Sequence, residues 1–198
     1  MKVNCNKEGI LKASKIIKNG GVIIFPTDTV YGIGCDPYNK SAVEKIYKIK
    51  SRQKTKPLPV LVYSKEIASK IVSFDKESER LAEKFWPGPL TLILKLINKK
   101  LKNSLNLDDK IALRVPENSC TLELLKRCSL IVGTSANISG QESFTNPLKC
   151  YENMKGFDLF LDGGEILGIP STIVEVVNGE LKIHREGTLT KKEIMKIL

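Results

Sequence analysis

The sequence predicts an α/β domain built around a mixed β-sheet. Apolar runs of strand length alternate with segments of helical periodicity along most of the 198 residues. The dipeptide Asn178-Gly179 separates two strand-like segments and predicts a tight hairpin, so antiparallel neighbours are expected as well as parallel ones. A hydrophobic fraction of 41% supports a sizeable core, and no linker-like stretch divides the chain. We therefore expect one domain over residues 1–198.

The first half of the chain is predicted to hold four helices and three strands. The first helix covers residues 8–18, ends at Gly20-Gly21, and is followed by strands at 22–25 and 30–34. A capping box at 41–44 predicts a second helix that runs to Lys50, and residues 59–63 read as a strand. Ser64 and Asp75 are the expected caps of two further helices, the second of which ends at 85–89.

The second half of the chain is predicted to be richer in strands. A polar, lysine- and asparagine-rich loop is expected to separate strands at 91–96 and 111–115. A helix at 118–128 leads into a strand at 130–132. The last predicted elements are strands at 157–161, 171–177 and 181–185 and a final helix capped by Thr190.

Composition excludes several classes of protein. No run of eighteen apolar residues is present, which excludes a membrane-spanning helix, and the N-terminus lacks the apolar region of a secretory signal. The cysteines are odd in number and irregularly spaced, so neither a zinc site nor a disulfide framework is indicated, and we expect reduced thiols and a cytoplasmic location. The five cysteines are Cys5, Cys35, Cys120, Cys128 and Cys150.

The net charge of +10 admits two explanations. Scattered lysines on solvated helix faces account for it without any partner, whereas a clustered patch would indicate binding to RNA. The second explanation predicts a module that recognises double-stranded or ribosomal RNA without catalysis. Aromatic residues make up only 6% of the chain and no RRM or KH signature occurs, which disfavours this alternative.

Two neighbouring segments point to a polyanionic ligand. The apolar run 22–25 leads directly into a turn rich in hydroxyl groups and glycine, which includes Thr27. About twenty residues later Lys50, Arg52 and Lys56 lie close together in the sequence. Hydroxyls at a strand end beside such a cationic cluster suit a ligand such as a nucleoside triphosphate.

These segments belong to a series of seven motifs, in a fixed order, that resembles the YrdC-like family. The motifs are FPTDTVYG (25–32), KSRQKTKPL (50–58), WPGPLTL (86–92), RVP (114–116), TSANISG (134–140), PSTI (170–173) and HREG (184–187). The resemblance implies a twisted open sheet flanked by helices. It also implies synthesis of threonylcarbamoyl-AMP and pyrophosphate from L-threonine, bicarbonate or CO2, and ATP with Mg²⁺, for the threonylcarbamoyladenosine of tRNA.

The resemblance assigns roles to ten residues of this chain. Lys50 and Arg52 are implied as catalytic cations, and Arg52 is also implied in ATP binding. The other residues implied in ATP binding are Lys56, Ser135, Asn137, Thr145 and Arg185. Those implied in threonine binding are Thr27, Arg114 and Ser171. The metal ligands stay open, with Asp28 as one candidate.

The implied reaction needs no covalent nucleophile, because the protein acts by aligning two anions and spreading the phosphate charge. His184 is the single histidine and no G-x-S-x-G motif accompanies it, so a catalytic triad is not indicated. The implied partners beyond the substrates are tRNA and a threonylcarbamoyl transferase complex.

Overall fold

The computed structural model describes residues 1–198 and contains eight helices. Each helix begins after an Asn, Asp, Ser or Thr whose side-chain oxygen accepts a hydrogen bond from a first-turn N–H group. Such caps satisfy donors that have no partner inside the helix. The helices are α1 (Lys7–Lys18), α2 (Lys40–Ile49), α3 (Lys65–Ser69), α4 (Lys76–Phe85), α5 (Lys99–Leu105), α6 (Ser119–Cys128), α7 (Pro147–Asn153) and α8 (Lys191–Met195).

Twelve strands form two sheets, and both sheets mix parallel with antiparallel neighbours. The strands are β1 (Lys2–Asn4), β2 (Ile23–Phe25), β3 (Gly32–Gly34), β4 (Val60–Val62), β5 (Val72–Ser73), β6 (Leu90–Leu96), β7 (Lys110–Arg114), β8 (Leu130–Val132), β9 (Thr134–Ser135), β10 (Leu159–Asp162), β11 (Thr172–Val177) and β12 (Glu180–Arg185). The five-stranded sheet has the order β1-β10-β2-β3-β9. The seven-stranded sheet has the order β12-β11-β6-β7-β4-β8, with β5 beside β6.

The two sheets meet at the segment 130–135. β8 pairs with β4 of the larger sheet, β9 pairs with β3 of the smaller one, and only Gly133 separates them. A Cβ atom at this glycine would lie 2.4 Å from Cγ of Leu61, so a side chain here would collide with β4. The chain therefore passes from one sheet to the other at a position that only glycine fills without rearrangement.

The buried apolar side chains form two clusters. The larger cluster contains 36 buried residues and the smaller one 12, the smaller lying largely between α1, α6 and the five-stranded sheet. These clusters set the positions of the strand ends that carry the polar residues described below. No helix has both the length and the apolar character needed to cross a membrane.

Most of the predicted elements are confirmed, including the caps at Ser64, Asp75 and Thr190 and the hairpin at Asn178-Gly179. The predicted capping box at 41–44 is wrong, because Asn39 caps α2: its Oδ1 accepts from the amide of Ala42 at 3.0 Å.

The loop expected between 96 and 111 is also partly wrong, since it contains α5. Leu101 and Leu105 of this short helix are buried. The strands β1, β5 and β9 and the helix α7 were not predicted, because all four are short and lack a clear apolar period.

The expectation of reduced thiols is wrong for one pair of cysteines. Cys5 and Cys120 form a disulfide across 115 residues of sequence, with their Cα atoms 6.0 Å apart. The packing of α1 against α6 brings the two residues together, and no local spacing in the sequence indicates such a pair. Cys35, Cys128 and Cys150 are free thiols.

Candidate functional site

An open cleft with a volume of about 120 Å³ lies where the two sheets meet. Its lining includes three arginines and six hydroxyl side chains, and no carboxylate is among the lining residues. The arginines are Arg52, Arg114 and Arg185; the hydroxyl residues are Thr27, Thr29, Thr91, Thr134, Ser135 and Ser171. A concave surface with this balance of charge and hydrogen-bonding groups favours an anionic ligand.

Arg114 is the deepest of the three arginines and ends β7. Its Nε donates to the carbonyl of Gly88 at 2.8 Å, and Nη1 donates to Oγ1 of Thr29 at 3.0 Å. Nη2 forms an ion pair with Oδ1 of Asp28 at 2.6 Å, and the residue is only 5% exposed. These three contacts use three of the five N–H donors, so two donors are left without a partner. Burial lowers the pKa of Arg114 and the Asp28 carboxylate opposes this shift. A buried donor without a hydrogen bond is costly, and an anion in the cleft would satisfy it.

The turn between β2 and β3 supports this arginine through a chain of hydroxyl groups. Thr27 Oγ1 donates to the carbonyl of Val30 at 2.6 Å and lies 3.0 Å from Thr29 Oγ1. Since the Thr27 proton is directed at Val30, Thr29 is the donor between the two hydroxyls and keeps its lone pairs for Arg114. Asp28 accepts from the amide of Glu117 at 3.0 Å, which fixes its carboxylate beside the guanidinium. The turn thus holds Arg114 in one orientation.

The hairpin β11–β12 brings Ser171 and Arg185 together, because Ser171 precedes its first strand and Arg185 ends its second. Arg185 donates to the Ser171 carbonyl through Nε at 3.1 Å and Nη2 at 2.8 Å, and Nη2 is also 3.1 Å from Ser171 Oγ. Ser171 Oγ lies 2.9 Å from Thr91 Oγ1 on β6. Both hydroxyls are buried, so their orientation is fixed by these contacts.

Arg52 forms the opposite part of the wall, just after α2. Its Nε and Nη2 donate to the carbonyls of Lys56 and Pro57, each at 2.9 Å. A guanidinium has five N–H donors, so three are left for a ligand. Burial lowers the pKa of Arg52 and of Arg185, and the positive charges of Arg114 and Arg52 lower that of Arg185 further. The three guanidinium groups therefore repel one another, and an anion bound among them would relieve that repulsion.

Lys50 lies behind the cleft wall and holds the loop 135–141 in place. Its ammonium group donates to the carbonyls of Ser135 and Asn137 and, at 3.0 Å, to Asn137 Oδ1. Asn137 also accepts from Ser135 Oγ at 2.6 Å and donates to the carbonyl of Gln141 at 2.6 Å. Burial and the charge of Arg52 lower the pKa of Lys50 to about 7. Because three oxygens take the three N–H donors of Lys50, this side chain acts as a brace in the structure.

The cleft brings together six of the ten predicted site residues. They are Thr27, Arg52, Arg114, Ser135, Ser171 and Arg185. Lys50 and Asn137 are buried next to the lining. The side chain of Lys56 is exposed, and Thr145 lies beside the loop 163–170, where its carbonyl accepts from Ile166 at 3.0 Å. The roles assigned to all ten residues stay predictions.

Three hydroxyl residues of the cleft, Thr29, Thr91 and Thr134, were not selected from the sequence. Thr29 links Thr27 to Arg114, and Thr91 holds the hydroxyl of Ser171. The repeated hydroxyl in the segment Thr27-Asp28-Thr29 was a usable signal for the first. Thr91 sits in an apolar strand, where nothing in the sequence distinguishes it from an ordinary strand residue.

His184 and Glu175 form a polar pair that does not line the cleft. His184 Nε2 lies 2.8 Å from Oε2 of Glu175, a carboxylate that also contacts Lys110. Burial acts to raise the pKa of Glu175, but the hydrogen bonds from Lys110 and His184 outweigh it and lower the pKa. No group of three or more His, Cys, Asp or Glu side chains is arranged to hold a metal ion.

Comparison with known proteins gives a family that matches most of the chain. A family model described as "Telomere recombination" (Sua5_yciO_yrdC) matches residues 15–187. A threonylcarbamoyl-AMP synthase from Pyrococcus abyssi is 33% identical over 193 residues, covering 94% of this chain and 56% of the relative. A putative threonylcarbamoyl-AMP synthase from Methanocaldococcus jannaschii is 35% identical over 184 residues, covering 92% of this chain and 87% of the relative. The chain thus spans little more than half the length of the Pyrococcus relative.

The fold is similar to that of a solved relative throughout the chain. The crystal structure of P. abyssi Sua5 complexed with L-threonine superposes with a TM-score of 0.90 at 32% identity. The match covers 100% of this chain and 61% of the solved chain. The expected α/β fold with twisted mixed sheets is confirmed, and the chain belongs to the Sua5/YciO/YrdC family.

Proposed function

We propose that the protein is an L-threonylcarbamoyladenylate synthase, a nucleotidyltransferase that forms threonylcarbamoyl-AMP and pyrophosphate. Its substrates are L-threonine, bicarbonate or CO2, and ATP. The observation that carries this proposal is the buried guanidinium of Arg114, which Gly88, Thr29 and Asp28 hold in place while N–H donors are left over for a ligand. It lies in a cleft that two further arginines share and no carboxylate lines. Relatives named threonylcarbamoyl-AMP synthase and a relative in complex with L-threonine support the choice of substrates.

Arg114 binds the carboxylate of threonine in this proposal. Its guanidinium is held by Gly88, Thr29 and Asp28, so it is already oriented before the ligand arrives. A guanidinium offers paired donors that match the two oxygens of a carboxylate, which an ammonium group does not. Thr27 and Ser171 lie on the same lining and position the remainder of the amino acid.

Arg52 and Arg185 bind the phosphates of ATP. Both keep N–H donors beyond those used by backbone carbonyls, and both have their pKa lowered by burial, so each gains from a nearby anion. Ser135 and the braced loop 135–141 form the adjoining wall for the nucleotide. Lys50 acts through this loop by fixing the backbone around Ser135 and Asn137.

The reaction balances without a covalent enzyme intermediate. The amine of threonine adds to CO2 and loses a proton to give a carbamate. A carbamate oxygen then attacks the α-phosphorus of ATP, and the bond from that phosphorus to the bridging oxygen breaks to release pyrophosphate. The arginines bring the two anions together against their mutual repulsion, and alignment of this kind supplies on the order of several kcal/mol of barrier lowering.

We also propose that Mg²⁺ accompanies ATP. Mg²⁺ in nucleotide sites is commonly held by the substrate phosphates and few protein ligands. The chain has no cluster of carboxylates that would hold the ion alone, so its residues fit an ion that arrives with the triphosphate. Asp28 is already engaged by Arg114 and by the amide of Glu117, which leaves it little capacity as a metal ligand. When bound, the ion neutralises part of the phosphate charge.

We also propose which reaction consumes the product and where the protein acts. Threonylcarbamoyl-AMP is a reactive mixed anhydride, so a transferase that uses tRNA as acceptor is the expected consumer, and the cytoplasm is the expected location. The exposed lysines that give the net charge of +10 offer a surface for weak contact with tRNA.

Measurement of pyrophosphate release tests the proposed function. Purified protein with ATP, Mg²⁺, L-threonine and bicarbonate should release pyrophosphate without tRNA. Omission of threonine or of bicarbonate should abolish the release, and added tRNA should not change it. Release that is independent of threonine would contradict the proposal. Tight, sequence-selective tRNA binding without any threonine-dependent release would favour the RNA-binding module instead.

A further inference from the structure

The Cys5–Cys120 disulfide lies at the N-terminal ends of two helices. Cys5 connects β1 to α1, immediately before the cap Asn6, and Cys120 is in the first turn of α6. The bond therefore fastens the start of α6 to the start of α1, although 115 residues separate them. Cys120 is a buried member of the smaller apolar cluster, and Cys5 is partly buried against it.

The residues on both sides of Cys120 contact the turn that supports Arg114. The Thr121 hydroxyl donates to the carbonyl of Pro26, and the amide of Glu117 donates to Asp28 Oδ1 at 3.0 Å. Asp28 in turn lies 2.6 Å from Nη2 of Arg114. A short, continuous series of contacts thus runs from the disulfide through the start of α6 to the guanidinium in the cleft.

A reductant can approach the disulfide at Cys5, which is half-buried, whereas Cys120 is only 5% exposed. The surroundings of the bond favour reduction. Both cysteines line an open surface groove together with Lys7, Ser119, Glu123 and Arg127. A thiolate released at either cysteine would lie at the N-terminus of a helix of ten or more residues and near cationic side chains. These features stabilise a thiolate and make it a good leaving group in thiol–disulfide exchange.

We infer that Cys5–Cys120 is a reversible thiol–disulfide switch that sets the threonine affinity of the cleft. A dithiol reductant gives up two electrons and two protons, forms its own disulfide, and leaves Cys5 and Cys120 as thiols. The start of α6 then loses its tie to α1, so its contacts with Pro26 and Asp28 loosen and Arg114 is held less firmly. The link to threonine rests on the proposed function, whereas the loosening of α6 does not.

Hydrogen exchange tests the structural part of the switch without any ligand. Amide exchange over residues 117–121 should become faster after reduction, while exchange over the central strand residues 92–94 should not change. The Cys5→Ser variant should resemble the reduced protein under oxidising and reducing conditions alike. Cys128→Ser, which removes a free thiol from the same helix, should retain the response of the unaltered protein. Equal protection of 117–121 in both redox states would overturn the inference.

Calorimetric titration tests the link to the cleft. Reduction should weaken threonine binding by roughly five-fold or more, the lower range of ordinary coupling between sites, and change ATP binding by less than about two-fold. General loss of structure would weaken both ligands together, so this difference identifies the route through Arg114. Equal threonine affinity in the two redox states would overturn the inference. Absence of threonine binding in both states would instead refute the proposed function, and the exchange experiment would still decide whether the switch exists.

Discussion

The three arginines of the cleft are held in two different ways. Arg114 is only 5% exposed and is fixed by one carbonyl, one hydroxyl and one carboxylate, each from a different residue. Arg52 and Arg185 lie nearer to solvent, and backbone carbonyls make their main contacts. The inner arginine is therefore rigid and partly neutralised, whereas the outer pair keeps its net charge.

This difference indicates a division of tasks. A rigid guanidinium with two remaining N–H donors selects a small ligand by the position of its carboxylate, because any displaced anion leaves those donors unpaired. The two outer arginines have no carboxylate partner, so they attract a larger polyanion and tolerate variation in its position and orientation.

Removal of the carboxylate that accompanies the inner arginine should have the largest effect. Asp28→Ala leaves the buried Arg114 guanidinium without its counter-ion and should lower the free energy of unfolding by about 3–5 kcal/mol. Urea unfolding measures the loss. The control is Glu44→Ala, which breaks an exposed pair with Lys54 at 2.7 Å and should cost no more than about 1 kcal/mol. Similar losses in the two variants would show that Arg114 is no more dependent on its partner than a surface lysine.

Reciprocal substitutions should separate the two ligands. Arg52→Ala should weaken ATP binding by about 1.5–3 kcal/mol, since it removes a charged hydrogen-bond donor, and leave threonine binding nearly unchanged. Arg114→Lys keeps the charge but loses the paired donors, so threonine binding should weaken while ATP binding does not. Calorimetry measures both affinities, with Lys15→Ala on the exposed face of α1 as the control. Equal effects of each variant on both ligands would remove the proposed division.

The pH dependence of stability tests whether burial of Lys50 close to Arg52 destabilises the charged form of this lysine. The pKa of Lys50 is lowered to about 7, so above this pH the unfolded chain binds more protons at this residue than the folded protein. The free energy of unfolding should therefore rise with pH, by up to about 1.4 kcal/mol per pH unit. Lys50→Met should remove this contribution.

The window for this measurement is pH 7–8.5. Burial raises the pKa of Cys35 and Cys150, so these thiols lower the stability at higher pH, where they ionise in the unfolded chain. Urea unfolding at several pH values in this window gives the slope. An identical slope for the unaltered protein and Lys50→Met would show that Lys50 stays charged in the fold.

Loss of one hydroxyl beneath the outer arginines should have the smallest effect. Thr91→Val removes a partner of Ser171 Oγ, but Ser171 keeps its contact with Arg185. The free energy of unfolding should fall by about 1 kcal/mol, measured by urea unfolding. Thr91→Ser retains the hydroxyl group and serves as the control. A loss of several kcal/mol would mean that the outer arginines depend on side-chain support as strongly as Arg114 does.

The sequence predicted the contents of the cleft better than the contacts within it. Arg114 and Ser171 were identified because the segments RVP and PSTI resemble motifs of the YrdC-like family, and both residues lie at strand boundaries that converge in the fold. The inward orientation of Lys50 was not predictable. The oxygens that hold it belong to residues 85 and 87 positions further along the chain, and only the tertiary packing brings them near.

Local capping patterns were predicted well where one candidate was present and poorly where two competed. Asp75 is the single polar residue at the right place before α4, and it caps that helix. Before α2, Asn39 and Ser41 both qualified, and the side chain of Asn39 forms the cap. The Cys5–Cys120 disulfide and the support of Ser171 by Thr91 depend on pairs of residues far apart in sequence, so neither leaves a local signal.

The hairpin β11–β12 places its turn far from the residues it contributes to the cleft. Ser171 and Arg185 lie at its open end. Asn178 is seven residues from Ser171 and Gly179 is six from Arg185, roughly 20 Å away in extended geometry. Both turn residues have positive φ angles, of 53° and 81°, and a Cβ at Gly179 would meet no neighbour. The turn is therefore a convenient point for attaching a fluorophore or an affinity tag, from which ligand binding can be followed without touching the site.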